Sequence, residues 1–385
     1  MVTAVSVRKV ETKADHQVFL HFPWTIYQDD PNWVPPLLSI RRDTLNPDKN
    51  PSWDYLEGDY YIAWRGEEPV GTIAAFVNKR HNEFHNEHIA WFGFFETIND
   101  PEVAHALLDT AVGWAQSQGY DAIRGPQSFT THEECGLLID GFERPVMLMP
   151  YNAPYYQALI EGTDFHKVMD TSSFYYNWDM LEAHNTIKRF APLIKRVTRN
   201  TNFAVRPINR KNLKADFATF KEIYNNSWDD NWGFTPMTEK ELDNLVESLG
   251  MFFDPHLACF VEDDGEPVGF MLGVPDFNQV LYHAHPKPGI PEPITLIRAL
   301  WHWKIRSKID TFRIPLMGVR ADYRKKGLDL LMYDYFLREL PNLPIQYQTM
   351  DAGWILETNQ DMIGILQSVG MEPYRRYRFY EQTLT

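Results

Sequence analysis

Apolar and polar residues follow two periods along this chain, one typical of strands and one typical of helices. In the first half, the pattern predicts a hairpin from strands at 60–64 and 70–77, and another strand at 88–95. A helix is predicted at 101–118, because Asp100 is a favourable N-cap and proline suits the first helical position. Strands joined by tight turns pair antiparallel, so these elements indicate an antiparallel sheet.

The second half follows the same order of elements. Its predicted strands and helices are strands at 203–208, 258–262, 268–274, 314–319, 345–351 and 377–382, and helices at 213–227, 239–250, 328–340 and from 359 onward. The whole pattern predicts an α/β fold of the α+β kind, with mixed, largely antiparallel sheets flanked by helices.

Internal duplication predicts two domains. The tetrapeptide EPVG at 68–71 recurs at 266–269, and VRKV at 7–10 recurs as VRPI at 205–208, at one common spacing. A period this long requires whole domains as the repeating unit, and 385 residues suffice for two ordinary cores. We therefore expect domains at 1–180 and 202–385, joined by a helical linker at 181–201.

The clearest chemical pattern is an apolar strand, a basic loop containing glycine, and a helix in direct succession. The residues are Met317, Gly318 and Val319 at the strand end, Arg324, Lys325, Lys326 and Gly327 in the loop, and Leu328 and Asp329 at the helix start. This order directs free backbone N–H groups and the positive end of a helix dipole at one spot. The pattern therefore predicts a site for the diphosphate of a nucleotide-bearing cofactor.

The loop at 324–329 (RKKGLD) resembles the Arg/Gln-x-x-Gly-x-Gly/Ala loop of the GNAT (Gcn5-related N-acetyltransferase) superfamily. In that family the loop cradles the pyrophosphate of acetyl-CoA, and the preceding strand holds the pantetheine arm. Asn359 opens a segment, 359–371, that resembles the family's Asn-x-x-Ala helix ending in Gly-Phe. The resemblance implies a tandem GNAT protein that uses acetyl-CoA or another acyl-CoA as co-substrate, with these residues holding it.

Two residues depart from the family pattern, and the first half departs further. Asp329 replaces the usual Gly or Ala, and Leu366 stands where many members carry a Tyr that protonates the leaving thiolate. In the first half, Asp100 and Glu102 supply anions to the helix start that would receive the phosphate. We therefore expect a degenerate N-terminal copy and a cofactor site in the C-terminal domain.

The first half instead has a long loop at 128–156, polar at its start and aromatic at its end. Its His132, Glu133 and Cys135 suit a base or a nucleophile, but adjacent residues rarely converge on one atom. We expect a structural or acceptor-recognition loop.

Candidate catalytic residues in the second half are His283, Asp351 and Glu357. His283 and His285 alternate, so they would face one side of a strand, although an ordinary surface histidine is the favoured alternative for each. Candidate acceptor-binding residues are Trp228, Asp229, Asp230, Trp232 and Phe234, in a region that tends to line the acceptor pocket of the GNAT superfamily. An acidic, aromatic rim suits a cationic amine of a small molecule or peptide, but a duplicate at 29–33 leaves a structural turn as the alternative.

Net charge and composition exclude several classes of partner. A formal charge of −15 and a pI near 5.3 argue against nucleic-acid or membrane-surface binding. No apolar run approaches a membrane span, so a cytoplasmic protein is expected, and the oligomeric state stays open. Two cysteines make a disulfide framework unexpected. The histidines at 81, 85 and 88 are interpreted as a polar hairpin turn, not as a metal site.

These observations predict an acyl-CoA-dependent N-acyltransferase that transfers an acetyl group to an amine. Two alternatives stay open. A non-catalytic pseudo-acyltransferase is favoured by Asp329 and Leu366. A Fem-type peptidyl transferase would use aminoacyl-tRNA, and the acidic balance of the chain argues against it.

Overall fold

The computed structural model describes residues 4–180, 185–209, 211–225, 231–250, 253–339, 342–343 and 347–384. The chain forms two compact units. Unit 1 comprises Met1–Thr171, Val280–Ser307 and Arg375–Thr385, and unit 2 comprises Ser172–Gln279 and Lys308–Tyr374. The predicted domain boundaries at 180 and 202 come from the sequence duplication and stay a prediction. Each compact unit is assembled from segments that are separated along the chain.

The elements are numbered here in chain order. The strands are β1 (Val5–Lys9), β2 (Leu56–Arg65), β3 (Glu68–Asn78), β4 (Ile89–Thr97), β5 (Ala122–Gly125), β6 (Leu137–Asp140), β7 (His166–Asn177), β8 (Phe203–Pro207), β9 (Ala258–Asp263), β10 (Glu266–Pro275), β11 (Thr311–Val319), β12 (Thr349–Leu356) and β13 (Glu372–Thr383). The α-helices are α1 (Lys13–His21), α2 (Pro23–Ile26), α3 (Leu38–Thr44), α4 (Lys79–His85), α5 (Pro101–Ser117), α6 (Tyr156–Glu161), α7 (Thr186–Thr198), α8 (Leu213–Asn225), α9 (Glu239–Gly250), α10 (Asn278–Ala284), α11 (Glu292–Leu300), α12 (Leu328–Glu339) and α13 (Gln360–Ser368).

Unit 1 is built on an antiparallel sheet with one parallel pair. Strands β1 to β4 pair antiparallel in order, and β4 pairs parallel with β5. The C-terminal strand β13 then pairs antiparallel with β5 and β6. Helix α5 covers β3 with a stripe of fully buried residues, Val103, Leu107 and Ala111, spaced one turn apart. The last strand of the chain therefore completes the first sheet.

Unit 2 repeats this plan. Strands β8, β9, β10 and β11 pair antiparallel in order, and β11 pairs parallel with β12. Helix α8 packs on β10 and β11, where Phe220 and Phe270 have ring centroids 4.7 Å apart. Helix α12 packs on α7. The predicted α/β fold, with a large and mostly antiparallel sheet arrangement flanked by helices, is confirmed.

The strand register gives the duplication a structural basis. Gly71 on β3 pairs with Thr97 on β4, and Gly269 on β10 pairs with Val319 on β11. The next pairs also correspond, Thr72 with Glu96 and Phe270 with Gly318, before the register shifts between residues 72 and 74 of β3 and between residues 272 and 274 of β10. The matching register makes Glu96 of unit 1 the equivalent of Gly318 of unit 2.

Two local predictions were wrong. The strand expected around His283 is instead helix α10, which ends at Ala284 and leaves His285 with a φ of +49°. The hairpin turn expected around His81 is helix α4, because the Asn78 side chain caps its first turn and Asn86 closes it in the left-handed conformation.

Metal-binding clusters and membrane-spanning helices can be assessed for the described residues. The described part of the chain contains no group of three His, Cys, Asp or Glu side chains arranged to hold a metal ion. None of its helices combines the length and the apolar character needed to cross a membrane.

Candidate functional site

The predicted diphosphate loop follows a strand that separates from its neighbour. The parallel ladder joins β11 to β12 from Thr311 opposite Thr349 to Ile314 opposite Ala352. Beyond Ile314, β11 continues to Val319, and Met317 becomes partly exposed. At its end, β11 is therefore still paired with β10 along one edge. Along its other edge, the described pairing with β12 ends at Ile314.

The loop itself is fixed to unit 2. Its start is held because the Arg320 N–H donates to the Val268 carbonyl oxygen at 2.9 Å and the Tyr323 hydroxyl donates to Asp263 at 3.0 Å. Gly327 has a φ of +82°, and a Cβ there would lie 2.7 Å from a methyl carbon of Val197. Only glycine fits this position, both for its backbone conformation and for its packing against α7.

Positive charge borders the loop. Lys325 is highly exposed, with its Nζ 3.8 Å from Asp361, which is also exposed. The Lys326 ammonium lies 4.3 Å from the centre of the Tyr323 ring. An exposed ion pair of this length contributes little stability, so the Lys325 ammonium can reorient toward a bound anion.

Asp329 changes the chemistry of the helix start. Its carboxylate accepts hydrogen bonds from its own N–H and from that of Leu330. Burial raises the pKa of this carboxyl, and these two hydrogen bonds oppose the rise. A phosphate at the start of α12 would have to displace this carboxylate from two of the N–H groups that the prediction counted as free.

Three other residues of the resemblance have structural roles. The Asn359 side chain caps α13, accepting from the Met362 N–H at 3.1 Å. Leu366 is fully buried. Leu328, at the start of α12, is also buried.

Asp351 is a buried member of a polar network in unit 2. The Tyr374 hydroxyl donates to Asp351 at 2.6 Å, and the Arg313 Nε lies 3.4 Å from the other carboxylate oxygen. Arg313 also donates to the Gly353 carbonyl oxygen at 2.8 Å. Glu357, one residue past the end of β12, is partly exposed, and its carbonyl oxygen accepts from Gln360.

The second polar centre is in unit 1, around Glu96. The Tyr27 and Tyr156 hydroxyls donate to the same Glu96 oxygen at 2.6 and 2.8 Å. The Tyr156 hydroxyl in turn accepts from the Thr97 N–H at 2.9 Å, and Tyr155 donates to the Thr97 carbonyl oxygen at 2.7 Å. Both tyrosines bound to Glu96 are buried, so the carboxylate is held in one place.

Burial dominates the electrostatics of this centre. It raises the pKa of Glu96, while hydrogen bonds from the two tyrosines and the charge of Arg41 oppose the rise. Burial beside Glu96 also raises the pKa of both Tyr27 and Tyr156 well above the usual phenol value. The arrangement favours a carboxyl that exchanges a proton closer to neutral pH than an ordinary glutamate.

Arg41 supplies the positive charge of the centre. Its Nε donates to the Leu20 carbonyl oxygen at 3.1 Å, and its guanidinium carbon lies 5.9 Å from the centre of the Phe94 ring. The Nη2 atom is buried and has no hydrogen-bond partner within the described residues. Phe94 has a φ of +49°, which places a bend in β4 two residues before Glu96.

No family model matches the chain. The chain is 34% identical to Protein YghO of Escherichia coli strain K12 over 383 residues, covering 98% of this chain and 95% of that protein. It is 30% identical to the bacterial ceramide synthase of Caulobacter vibrioides over 387 residues, covering 99% of this chain and 98% of that protein. The chain belongs to the family of these two proteins.

Solved structures identify the fold. A tandem GNAT protein from the clavulanic acid biosynthesis pathway aligns over 99% of both chains, with a TM-score of 0.54 and 11% identity. A GCN5-related N-acetyltransferase from Sphaerobacter thermophilus aligns over 99% of this chain and 96% of its own, with a TM-score of 0.50 and 11% identity. The predicted tandem GNAT fold is confirmed.

Within this GNAT fold, the predicted site residues fall in different places. His283 belongs to unit 1, where it is exposed and stacks on His302 with ring centroids 5.1 Å apart, whereas Asp351 belongs to unit 2. Their joint role stays a prediction.

The predicted acceptor residues are only partly described. Trp228, Asp229 and Asp230 lie outside the described residues, and Trp232 is partly exposed. Phe234 is buried in the core of unit 2, with its ring 5.9 Å from that of Tyr224.

The duplicate motif of unit 1 borders the Glu96 centre. Trp33 stacks on Tyr27 with ring centroids 5.2 Å apart, and Asp30 accepts from the Tyr151 hydroxyl at 2.7 Å. Tyr151 comes from the aromatic end of the long loop, whereas Cys135 from the same loop is buried. The loop therefore contributes its tyrosines to this centre.

Sequence reasoning missed Glu96, although one signal was present. Glu96 is the one acidic residue in the nine-residue strand β4, whose other positions are mostly large and apolar. A charge within a buried strand is costly unless it is paired, so it marks a polar centre. Its tyrosine partners lie 69 and 60 residues away, and only the fold brings them together.

Proposed function

We propose that this chain is an N-acyltransferase that joins an acyl group from acyl-CoA to the amine of a long-chain amino alcohol. The observation that carries the proposal is Glu96, a desolvated carboxylate fixed by two buried tyrosines on the GNAT fold. The name of one relative, bacterial ceramide synthase, supports the acceptor class, because a ceramide is an N-acylated long-chain amino alcohol.

Glu96 would act as the base. A protonated amine cannot attack a thioester, and burial raises the pKa of Glu96 above its ordinary value, which makes its carboxylate a stronger base for the proton that the nitrogen releases. The amine nitrogen forms the new C–N bond while the C–S bond breaks. An ammonium acceptor first loses one proton to water. The second proton, released by the nitrogen as the amide forms, passes to Glu96 and then to the departing thiolate of CoA, so that charge balances.

In a second candidate, which lies within unit 2, the acyl-CoA would be held by the residues of the basic loop. Lys325, Lys326 and the start of α12 would bind the diphosphate, and the backbone from Met317 to Val319 would face the pantetheine arm and thioester. The exposed Lys325 and the left-handed backbone of Gly327 support a diphosphate site in this loop. The carboxylate of Asp329 opposes it, because it accepts from N–H groups at the helix start. The base of this second candidate would be Asp351 or Glu357, which belong to the same unit.

An activity assay distinguishes the two candidate centres, Glu96 in unit 1 and Asp351 in unit 2. Purified protein is incubated with palmitoyl-CoA and sphinganine, and thiol release is measured together with the mass of the amide product. Acetyl-CoA in a parallel assay establishes the preferred chain length. If Glu96 is the base, Glu96→Gln lowers kcat by about 100-fold or more. Asp351→Asn tests the centre in unit 2 by the same criterion.

The matched control is Glu102→Gln. Glu102 is an exposed acid of unit 1 that pairs with Arg65, and its removal should leave turnover within about twofold. Full activity of Glu96→Gln would exclude the unit 1 centre. Loss of turnover in Glu102→Gln would mean that activity responds to general damage of the unit.

Two alternatives predict different results in the same assays. A non-catalytic acyl-CoA sensor, which Asp329 and Leu366 favour, would bind acyl-CoA in titration calorimetry without turnover across a panel of amines. A Fem-type transferase would bind aminoacyl-tRNA and no acyl-CoA. Amide formation from acyl-CoA would exclude both.

A further inference from the structure

One helix of unit 1 presents an apolar surface that no described residue covers. Of the nine exposed large apolar side chains in the described chain, six lie between 294 and 305: Ile294, Leu296, Ile297, Leu300, Trp301 and Ile305. They belong to α11 and to the π-helical turn Trp301–Ile305 that continues it. We call the segment 292–305 the docking helix.

The docking helix has its small side chains inside and its large apolar side chains outside. Thr295 and Ala299, one turn apart, are buried against the unit, with 2% and 3% of their surface exposed. Ile297 and Ile305 are 69% and 66% exposed. A helix that only completed a core would bury its large apolar residues. The outward face is therefore shaped for a second surface.

Charge indicates the nature of that surface. Arg298, Lys304, Arg306 and Lys308 are exposed along the helix and just beyond it. The one acid of this stretch, Glu292, is engaged by the Ser39 N–H at 2.9 Å. The local charge is thus positive in a chain whose net charge is −15.

We propose that the docking helix binds the surface of an anionic phospholipid bilayer, lying in the interface without crossing it. Its apolar face would enter the boundary between headgroups and acyl chains, and its basic residues would contact lipid phosphates. The indole of Trp301 suits the same boundary. A second copy of the chain fits less well, because a two-fold contact would bring identical basic residues together.

This inference goes beyond the proposed function, since it concerns binding to a membrane and requires no acyl transfer. It also revises the expectation drawn from net charge. That expectation averaged over the whole chain, whereas binding to a surface depends on the charge within about one Debye length of the contact.

Vesicle sedimentation tests the proposal with the full-length chain. Vesicles of phosphatidylcholine with 30% phosphatidylglycerol are compared with vesicles of phosphatidylcholine alone, at 0.1 M and 0.5 M salt. We expect the wild type to sediment with the anionic vesicles and to be released by salt. The double variant Ile297→Asp/Ile305→Asp should lower the partition coefficient by about tenfold or more. Lys304→Glu/Arg306→Glu should lower it by about 30-fold or more, given roughly 1 kcal/mol per basic residue.

The control is Leu193→Asp, which places the same new charge on an exposed leucine of α7, 42% of whose surface is exposed. It should bind vesicles as the wild type does. Circular dichroism checks that each variant is folded. Wild-type protein that stays in the supernatant with anionic vesicles overturns the proposal. So does a dimer, measured by light scattering, that becomes monomeric in Ile297→Asp/Ile305→Asp without any change in vesicle binding. Neither result depends on turnover.

Discussion

The pKa of the Glu96 carboxyl is set by opposing effects. Two tyrosine hydroxyls and the charge of Arg41 favour its ionised form, but burial outweighs them and raises its pKa. Because the folded state then binds the proton more tightly than the unfolded chain, this residue stabilises the fold below its ordinary pKa of 4.5. That contribution is lost as the pH rises through the raised value.

Glu96→Gln should therefore separate stability from activity. The amide can still accept from the tyrosines and never ionises, so the variant should be more stable than the wild type at pH 7 to 8. The difference in melting temperature should shrink as the pH falls toward 4.5. Thermal unfolding at several pH values measures this.

The same variant has a second readout in the rate profile. The wild-type kcat/KM should rise with pH through the raised pKa, and this limb should be absent in Glu96→Gln. A variant that is less stable at neutral pH would show instead that the ionised carboxylate is a structural partner of Arg41.

At the scale of single residues, the sequence could indicate some roles and not others. The caps Asp100 and Asn359 stand directly before the helices they cap, so local pattern sufficed to place those helix starts. Glu96 and its tyrosines come from β4, from the turn after α2 and from the start of α6. Contacts of this kind depend on the packing of distant segments, which local pattern does not contain.

For the basic loop and the start of α12, the sequence and the geometry disagree about which backbone N–H groups are free to bind an anion. The sequence pattern indicated unoccupied N–H groups at the start of α12, but Asp329 accepts from two of them. The pattern could not decide this, because a side chain in a first helical turn can point into solvent or fold back on the backbone. Gly327 was correctly predicted to be special, yet its contact with Val197 on α7 was beyond local pattern.

If the loop binds the diphosphate of acyl-CoA, Asp329→Ala should strengthen binding. Removing a competing carboxylate should lower the Kd for CoA by about threefold to tenfold, in line with roughly 1 kcal/mol for a charge at a helix start. The double variant Lys325→Glu/Lys326→Glu should weaken binding by more than tenfold. Titration calorimetry with CoA measures both.

Lys214→Glu is the matched control, since it reverses an exposed charge on α8 of the same unit. Gly327→Glu is a poor test, because a side chain at this φ and against Val197 would destabilise the loop whether or not CoA binds there. Unchanged affinity in both Asp329→Ala and Lys325→Glu/Lys326→Glu would show that this loop does not bind the diphosphate.

For the whole molecule, the decisive feature is the last strand. Residues Arg375–Thr385 belong to unit 1, where β13 pairs with β5 and β6 and buries Tyr377, Phe379 and Tyr380 completely. Each such side chain is worth about 1.5–3 kcal/mol of burial, and together they approach the whole stability of a typical domain. The duplication was visible in the sequence, but this exchange of a strand was not, because strand pairing across hundreds of residues leaves no local signal.

A chain that ends at Tyr374 should fail to fold unit 1. We expect loss of the near-UV circular dichroism of that unit and rapid proteolysis within 1–171, with unit 2 more resistant. Glu372→Ala changes an exposed residue of the same strand and should alter stability by less than about 0.5 kcal/mol. A truncated chain that unfolds with the cooperativity of the full chain would contradict the assignment of the segment to unit 1.

The position of that strand also orders events during synthesis. A ribosome translates roughly 200 residues between the end of the first segment of unit 1 and the arrival of its closing strand. At about 5–20 residues per second, β5 of the nascent chain is without its partner β13 for on the order of 10 to 40 s. Until the closing strand leaves the ribosome, the edge of β5 that it pairs with keeps unpaired N–H and C=O groups, and a chain that stops a few residues early leaves this edge open in the portion that was made first.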